Sequence, residues 1–278
     1  MHFLIAADQT HDMRKPAERK IIVITGSTRG IGLGLAREFL VRGHAVIING
    51  RSDEKVAKIL NELKKINPEV TGVAGDVSNE GTHLNLAAKS VSEFGKIDIW
   101  INNAGIPQPY KLFSEIENKE MCDLIDTNIS GLIMGTRTAA NQMLKQGFGK
   151  IFNMEGFGSN GRTMNKLTLY GTSKRAVNYF TRSAAKELKN SPVQIGYIRP
   201  GMVRTDFIDS SMTYGTAEEK RRFNKVYYIL AEDVDVVSPF LVKKILRSYR
   251  DYDSIKFLSG AKMFVKMFKL VFSSKGSG

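Results

Sequence analysis

A single cysteine, Cys122, in 278 residues excludes an internal disulfide, and the run Met121–Ile125 around it has the apolar period of a packed segment rather than of a reactive thiol. Histidine is nearly as scarce. His2, His11, His44 and His83 stand far apart with no companion at ligand spacing, so no metal site is expected. No apolar run approaches the ~18 residues that cross a bilayer. The opening Met1–Asp8 is too short in its apolar part, and meets an acid too soon, to read as a secretory signal. These absences lead us to expect a cytosolic protein in a reducing compartment.

The composition, 42% hydrophobic and 25% charged, is that of an ordinary globular chain with a sizeable core. Its net charge of +13 would ordinarily raise nucleic-acid binding. Between Lys243 and Lys275, however, nine Lys or Arg face two Asp, so seven of the thirteen surplus charges lie in that one segment. Nucleic acid is not an expected partner.

The first strong pattern is Lys20–Thr25, a β-branched run suited to a strand buried on both faces, followed by Gly26-Ser27-Thr28-Arg29-Gly30-Ile31-Gly32 and a helical period from Leu33 to Val41. Strand, glycine turn and helix in this order converge backbone N–H groups and a helix N-terminus on one point, which favours a pyrophosphate. A second strand, His44–Asn49, runs into Gly50-Arg51-Ser52, where an NAD-selective site would place a carboxylate. That carboxylate is missing. The guanidinium groups of Arg51 and Arg29 suit a 2′-phosphate instead, so NADP(H) is the expected cofactor.

Further along, Tyr170 and Lys174 stand four residues apart in a helical pattern running to about Leu188, so both fall on one face. A fixed ammonium stabilises a phenolate and lowers its pKa, which makes the pair a usable acid. Taken alone, such a pair reads more readily as a solvated surface couple, and it has to be supported from elsewhere in the chain.

The spacing Thr-Gly-x-x-x-Gly-x-Gly, Asn102-Asn103-Ala104-Gly105 at the end of the strand Ile97–Ile101, and Tyr170-x-x-x-Lys174 together resemble the short-chain dehydrogenase/reductase family over about Lys20 to Thr205. The resemblance implies a single doubly wound α/β domain with a mostly parallel sheet, a Rossmann fold. It implies that Asp76 and Val77 lie against the adenine, that Asn103, Ala104 and Gly105 pack beside the cofactor, and that Asn128 holds a water near Lys174. It also implies that Lys174 binds the nicotinamide ribose, and that Pro200, Gly201, Val203 and Thr205 reach the nicotinamide end. From the residues themselves, Asn128 and Gly131 inside the helical stretch Asn118–Gln146 predict a local kink.

One departure stands out. After the fifth strand, Lys150–Met154, the family has a serine pair whose second member polarises the substrate carbonyl, whereas Glu155 and Gly156 stand at those positions here. Ser159 is the nearest hydroxyl, and we assign it the serine's role. The sequence Asn153–Arg162 followed by Tyr170–Arg175 looks like the chlorophyll(ide) b reductase branch, which implies reduction of a formyl group on a large, flat, apolar molecule.

The expected organisation is an arm over 1–19, a domain over 20–253 with a substrate lid at about 206–228, and a basic amphipathic tail over 254–278. In that tail Lys262, Lys266 and Lys269 share one helical face, which suits a membrane surface, a second subunit or the protein's own cleft. The expected activity is NADP(H)-dependent reduction of an aldehyde or ketone with Tyr170 as proton donor, in a homodimer or homotetramer. The other reading is a catalytically silent NADPH-binding scaffold or redox sensor.

Overall fold

A computed structural model describes residues 18–207 and 214–258. The β-branched runs form β1 (Ile21–Ile24), β2 (Ala45–Gly50), β3 (Val70–Ala74), β4 (Ile99–Asn102), β5 (Gly149–Met154) and β6 (Val193–Arg199). Alternating with them are α1 (Gly30–Val41), α2 (Asp53–Leu63), α3 (Glu80–Phe94), α4 (Asn118–Ile125), α5 (Leu132–Gln146) and α6 (Thr168–Glu187). After β6 come α7 (Ala217–Leu230), α8 (Val234–Leu246) and a seventh strand, β7 (Tyr252–Lys256).

All strands pair in parallel, in the order β3-β2-β1-β4-β5-β6-β7. Successive side chains of a strand face opposite ways, so β1 feeds two cores: Ile22 and Ile24 meet Leu35, Phe39 and Leu241 on one face, while Ile21 and Val23 meet Leu86, Trp100 and Met143 on the other. The strand order reverses between β1 and β4, which opens a crevice beyond their carboxyl ends.

Two expectations need adjusting, the helical start of the tail and the packing of Cys122. β7 extends the sheet where a helical tail was expected from Ile255. Ile255 and Phe257 are both buried, a period of two that fixes this stretch as strand and carries the domain past residue 253. The lysine-bearing part of the tail, 259–278, lies outside the described residues, as do most of the expected arm and residues 208–213 of the expected lid. Cys122 is exposed rather than packed, because α4 turns Leu124 inward and leaves Cys122 on the other face.

The kink expected in the long helix is present in a definite form. Between α4 and α5 the backbone of Asp126–Gly131 widens into one π-helical turn, with Asn128 and Gly131 buried in it.

Candidate active site

The crevice is a cleft of about 1730 Å³ that runs over the ends of β1, β2, β4, β5 and β6. Its first wall is the glycine turn. Gly26 has φ +59°, and a Cβ there would lie 2.7 Å from the Ala104 Cα, so the turn packs directly on the loop after β4. The Asn103 side chain donates to the carbonyls of Thr25 (3.0 Å) and Gly26 (2.9 Å), while the Asn103 and Ala104 N–H groups donate to the Thr25 hydroxyl. Asn49 accepts from the Gly26 N–H at 3.1 Å and so ties β2 to the same turn.

Above the turn, α1 begins at Arg29 with no side-chain cap and no acidic residue in its first turn. The uncapped N–H groups and the positive end of the helix dipole face the cleft, an arrangement that fits an anionic pyrophosphate. Thr205 closes over this point: a Cβ on Gly30 would lie 3.3 Å from the Thr205 methyl.

At the β2 end, Arg29 and Arg51 both line the cleft and are exposed, and neither guanidinium has a partner among the described residues. Ser52 caps α2 by accepting from the Lys55 N–H at 3.3 Å, which sets Lys55 on the same rim. Sequence reading missed Lys55, although its place one helical turn from Arg51 was a usable signal. Asp76 and Val77 line the far side, where Asp76 accepts from the backbone and hydroxyl of Ser78.

Tyr170 and Lys174 are carried by α6 on the cleft wall, at the position the sequence indicated. The Lys174 Nζ donates to the Met154 carbonyl at 3.2 Å and lies 5.7 Å from the centre of the Tyr170 ring. Burial pushes the lysine amine down to about 8, partly offset by the Glu155 carboxylate. Burial also pushes the phenol up from its ordinary value. The sequence-based expectation was a phenol lowered by the ammonium; desolvation sets the direction instead, because both groups sit in the same low-dielectric wall.

Of the remaining predicted residues, Thr28, Gly30, Ile31, Gly105, Ser159, Pro200, Gly201 and Val203 line the cleft, whereas Ser27, Gly32 and Asn128 stand behind it. Ser27 is fully buried and donates to the Ile24 carbonyl at 2.7 Å. Gly32 gives room to the Asn103 amide. Asn128 accepts from the Ile106 N–H at 2.8 Å and donates to the Ile106 carbonyl and the Ser173 hydroxyl, which braces the loop after β4 against α6.

The loop after β5 folds onto α6, and a Cβ on Gly158 would lie 2.5 Å from the Gly171 Cα. Ser159, 1% exposed, follows directly; its N–H donates to the Gly156 carbonyl and its carbonyl accepts from Arg175 at 3.1 Å. Glu155 is buried. It accepts from the Arg199 Nε at 3.0 Å and from Asn178 at 2.6 Å, an ion pair set in the cleft lining. The motif showed that Glu155 replaces a serine, but nothing local pointed to Arg199, 44 residues away, as its partner.

Apolar side chains cover the rest. Phe207 meets the Tyr170 ring edge-on at 5.8 Å, and Phe157, Met164, Leu167, Phe223, Val226 and Leu230 complete that half of the cleft. Part of this wall comes from α7, within the segment expected to form a lid.

Comparison with known proteins agrees with this geometry. The family profile described as short chain dehydrogenase matches residues 20–213. A protein named "Chlorophyll(ide) b reductase NOL, chloroplastic", from Arabidopsis thaliana, is 38% identical over 261 residues, covering 90% of this chain and 73% of its own. The expected cytosolic location is overturned by that likeness, since this relative and its rice counterpart are both named as chloroplastic. Among solved structures, an actinorhodin polyketide ketoreductase variant with NADPH superposes with a TM-score of 0.75 at 24% identity, covering 88% of this chain and 97% of that one. A 3-ketoacyl-(acyl-carrier-protein) reductase from Brucella melitensis with NADH gives 0.73 at 23%, covering 87% and 98%. At those identities the two structures speak for the fold alone.

Proposed function

The chain belongs to the short-chain dehydrogenase family of oxidoreductases, whose fold binds a nicotinamide cofactor, and on that premise we propose that it is an NADP(H)-dependent reductase of a carbonyl group on a large apolar molecule. The observation that carries this reading is the pair of half-buried Tyr170 and buried Lys174 in the wall of a cleft far roomier than the roughly 300–1,000 Å³ of an ordinary one-ligand pocket. The uncapped start of α1 suits a pyrophosphate, and Arg29, Arg51 and Lys55 suit a 2′-phosphate.

When bound, the reduced nicotinamide supplies a hydride. Tyr170, protonated at neutral pH as any phenol is, gives its phenolic proton to the carbonyl oxygen as negative charge develops there. Lys174, at about 8, is protonated at neutral pH yet close enough to it to return a proton to the phenolate. Ser159 takes the part of the missing serine in polarising the carbonyl oxygen. Asn128 holds the loop that faces Lys174, and the Glu155–Arg199 pair supports the floor.

The apolar half of the cleft and the 38% identical relative together favour a formyl group on a flat molecule of the chlorophyllide b kind. We propose a homodimer or homotetramer as the working form. The test is NADPH oxidation against a panel of aldehydes and ketones that includes chlorophyllide b, after cofactor binding has been established by fluorescence. Turnover with formyl or keto compounds supports the reductase. Tight binding without turnover supports the scaffold reading instead.

A further inference from the structure

Helix α6 carries the proton donor but lacks a cap of its own. Its N-cap residue is Leu167, whose side chain has no acceptor, so the N–H groups of the first turn need partners from elsewhere. The Tyr170 N–H finds one 62 residues away, donating to the Gln108 Oε1 at 3.0 Å. Gln108 is fully buried, and its Nε2 donates to the carbonyls of Lys166 (3.0 Å) and Lys111 (3.3 Å). Only one orientation of the amide serves all three, since the helix N–H requires an oxygen and the two carbonyls require the NH₂.

The two loops held by Gln108 also hold the wall opposite Tyr170. Lys166 sits at φ +61°, a left-handed conformation unfavourable for a side chain of this size, and its Nζ pairs with Glu219 of α7 at 2.6 Å. Lys111 stacks on the Tyr214 ring at 4.1 Å, just ahead of α7. One buried amide therefore joins the backbone of the proton donor to both loops on which the α7 wall rests.

We propose that Gln108 is a positioning residue for the reduction: by capping the Tyr170 N–H and fastening the Lys111 and Lys166 carbonyls, it sets the height of the phenol in the cleft relative to the α7 wall. The proposal rests on the reading of Tyr170 as proton donor. A misplacement of about 1 Å at a reacting group costs on the order of a hundredfold in rate, so the effect belongs in kcat rather than in binding.

The test uses the full chain with phenanthrene-9,10-quinone, a flat apolar dicarbonyl, as the probe substrate. In Gln108→Leu the Tyr170 amide loses its acceptor, and its hydrogen exchange accelerates about tenfold or more while the amides of α6 beyond Val177 keep their protection. The kcat falls roughly tenfold to a hundredfold, while KM for the quinone and Kd for NADPH stay within about threefold. In Gln108→Glu, the ionised carboxylate caps Tyr170 but donates to neither carbonyl. As pH falls it takes up a proton and regains one donor, so its kcat relative to the parent protein rises toward acid, whereas the ratio for the leucine variant stays flat.

Unchanged kcat and unchanged Tyr170 exchange in a folded Gln108→Leu protein overturn the proposal. A parallel loss of NADPH affinity, or a flat pH ratio for Gln108→Glu, does so as well, because it marks a merely structural role. If the parent protein does not reduce the quinone, the reductase reading fails on this probe, and the exchange measurement still decides whether Gln108 holds Tyr170.

Discussion

A Cβ placed on Gly156 would lie 2.4 Å from the Tyr170 hydroxyl oxygen and 3.2 Å from the ring carbon that bears it. The phenol thus fills the space that a side chain at the family's usual serine position would occupy. Gly156 is required by this contact rather than by its backbone angles, and the absence of the serine and the place of the tyrosine are one feature.

Restoring the usual residue should therefore do harm. We predict that Gly156→Ser pushes the phenol aside and lowers kcat roughly a hundredfold, with NADPH affinity unchanged. Steady-state kinetics alongside fluorescence titration of NADPH checks this. A faster Gly156→Ser enzyme would show instead that the parent lacks a carbonyl-polarising hydroxyl and has room for one.

Lys174 makes stability depend on pH in a direction fixed by its burial. Its folded value is lowered to about 8 from 10.5, so between those two pH values the unfolded chain holds the proton and the folded chain does not. The burial penalty is full below pH 8 and is relieved as pH rises toward 10.5, by about 3 kcal/mol over the whole window. Urea midpoints of the parent and of Lys174→Met, subtracted at each pH, should show this rise. Because the Glu155 carboxylate favours the ammonium, Glu155→Gln should move the onset of the rise to lower pH. A flat difference from pH 7 to 10 contradicts the buried amine.

Cofactor choice should depend on the cationic rim. On the proposed NADP(H) reading, Arg51→Ala removes a charge-assisted contact to the 2′-phosphate, and the expected result is a rise of roughly tenfold or more in Kd for NADPH, with Kd for NADH within about twofold. Titration of both nucleotides by fluorescence decides the point. Equal effects on the two would remove Arg51 from phosphate recognition.

How much of this could be read from residues alone differs along the chain. Fully buried strands such as Ile21–Ile24 and Ala45–Gly50 announce themselves by β-branched content, and the glycine turn, Asn103–Gly105 and the Tyr170/Lys174 pair announce themselves by spacing. The kink at Asn128 was legible because Asn and Gly weaken a helix, although its π-helical form was not. β7 was masked by the basic run that follows it. Gln108 and Arg199 were invisible for a different reason: each acts through a partner at least 44 residues distant, brought near only by the parallel sheet, and neither sits in a local pattern. The direction of the Tyr170 shift was misjudged because spacing reports which charge is near but not how little water is.

The most direct measurement is the Tyr170→Phe variant in a single-turnover experiment with prebound NADPH and a carbonyl compound that the parent enzyme reduces. With the phenolic proton removed and the ring retained, NADPH should bind as in the parent while the rate of cofactor oxidation falls by a factor of about a hundred to ten thousand. A variant that binds NADPH normally and oxidises it at close to the parent rate would contradict the assignment of Tyr170 as the proton donor, and with it the account of this cleft as a carbonyl reductase site.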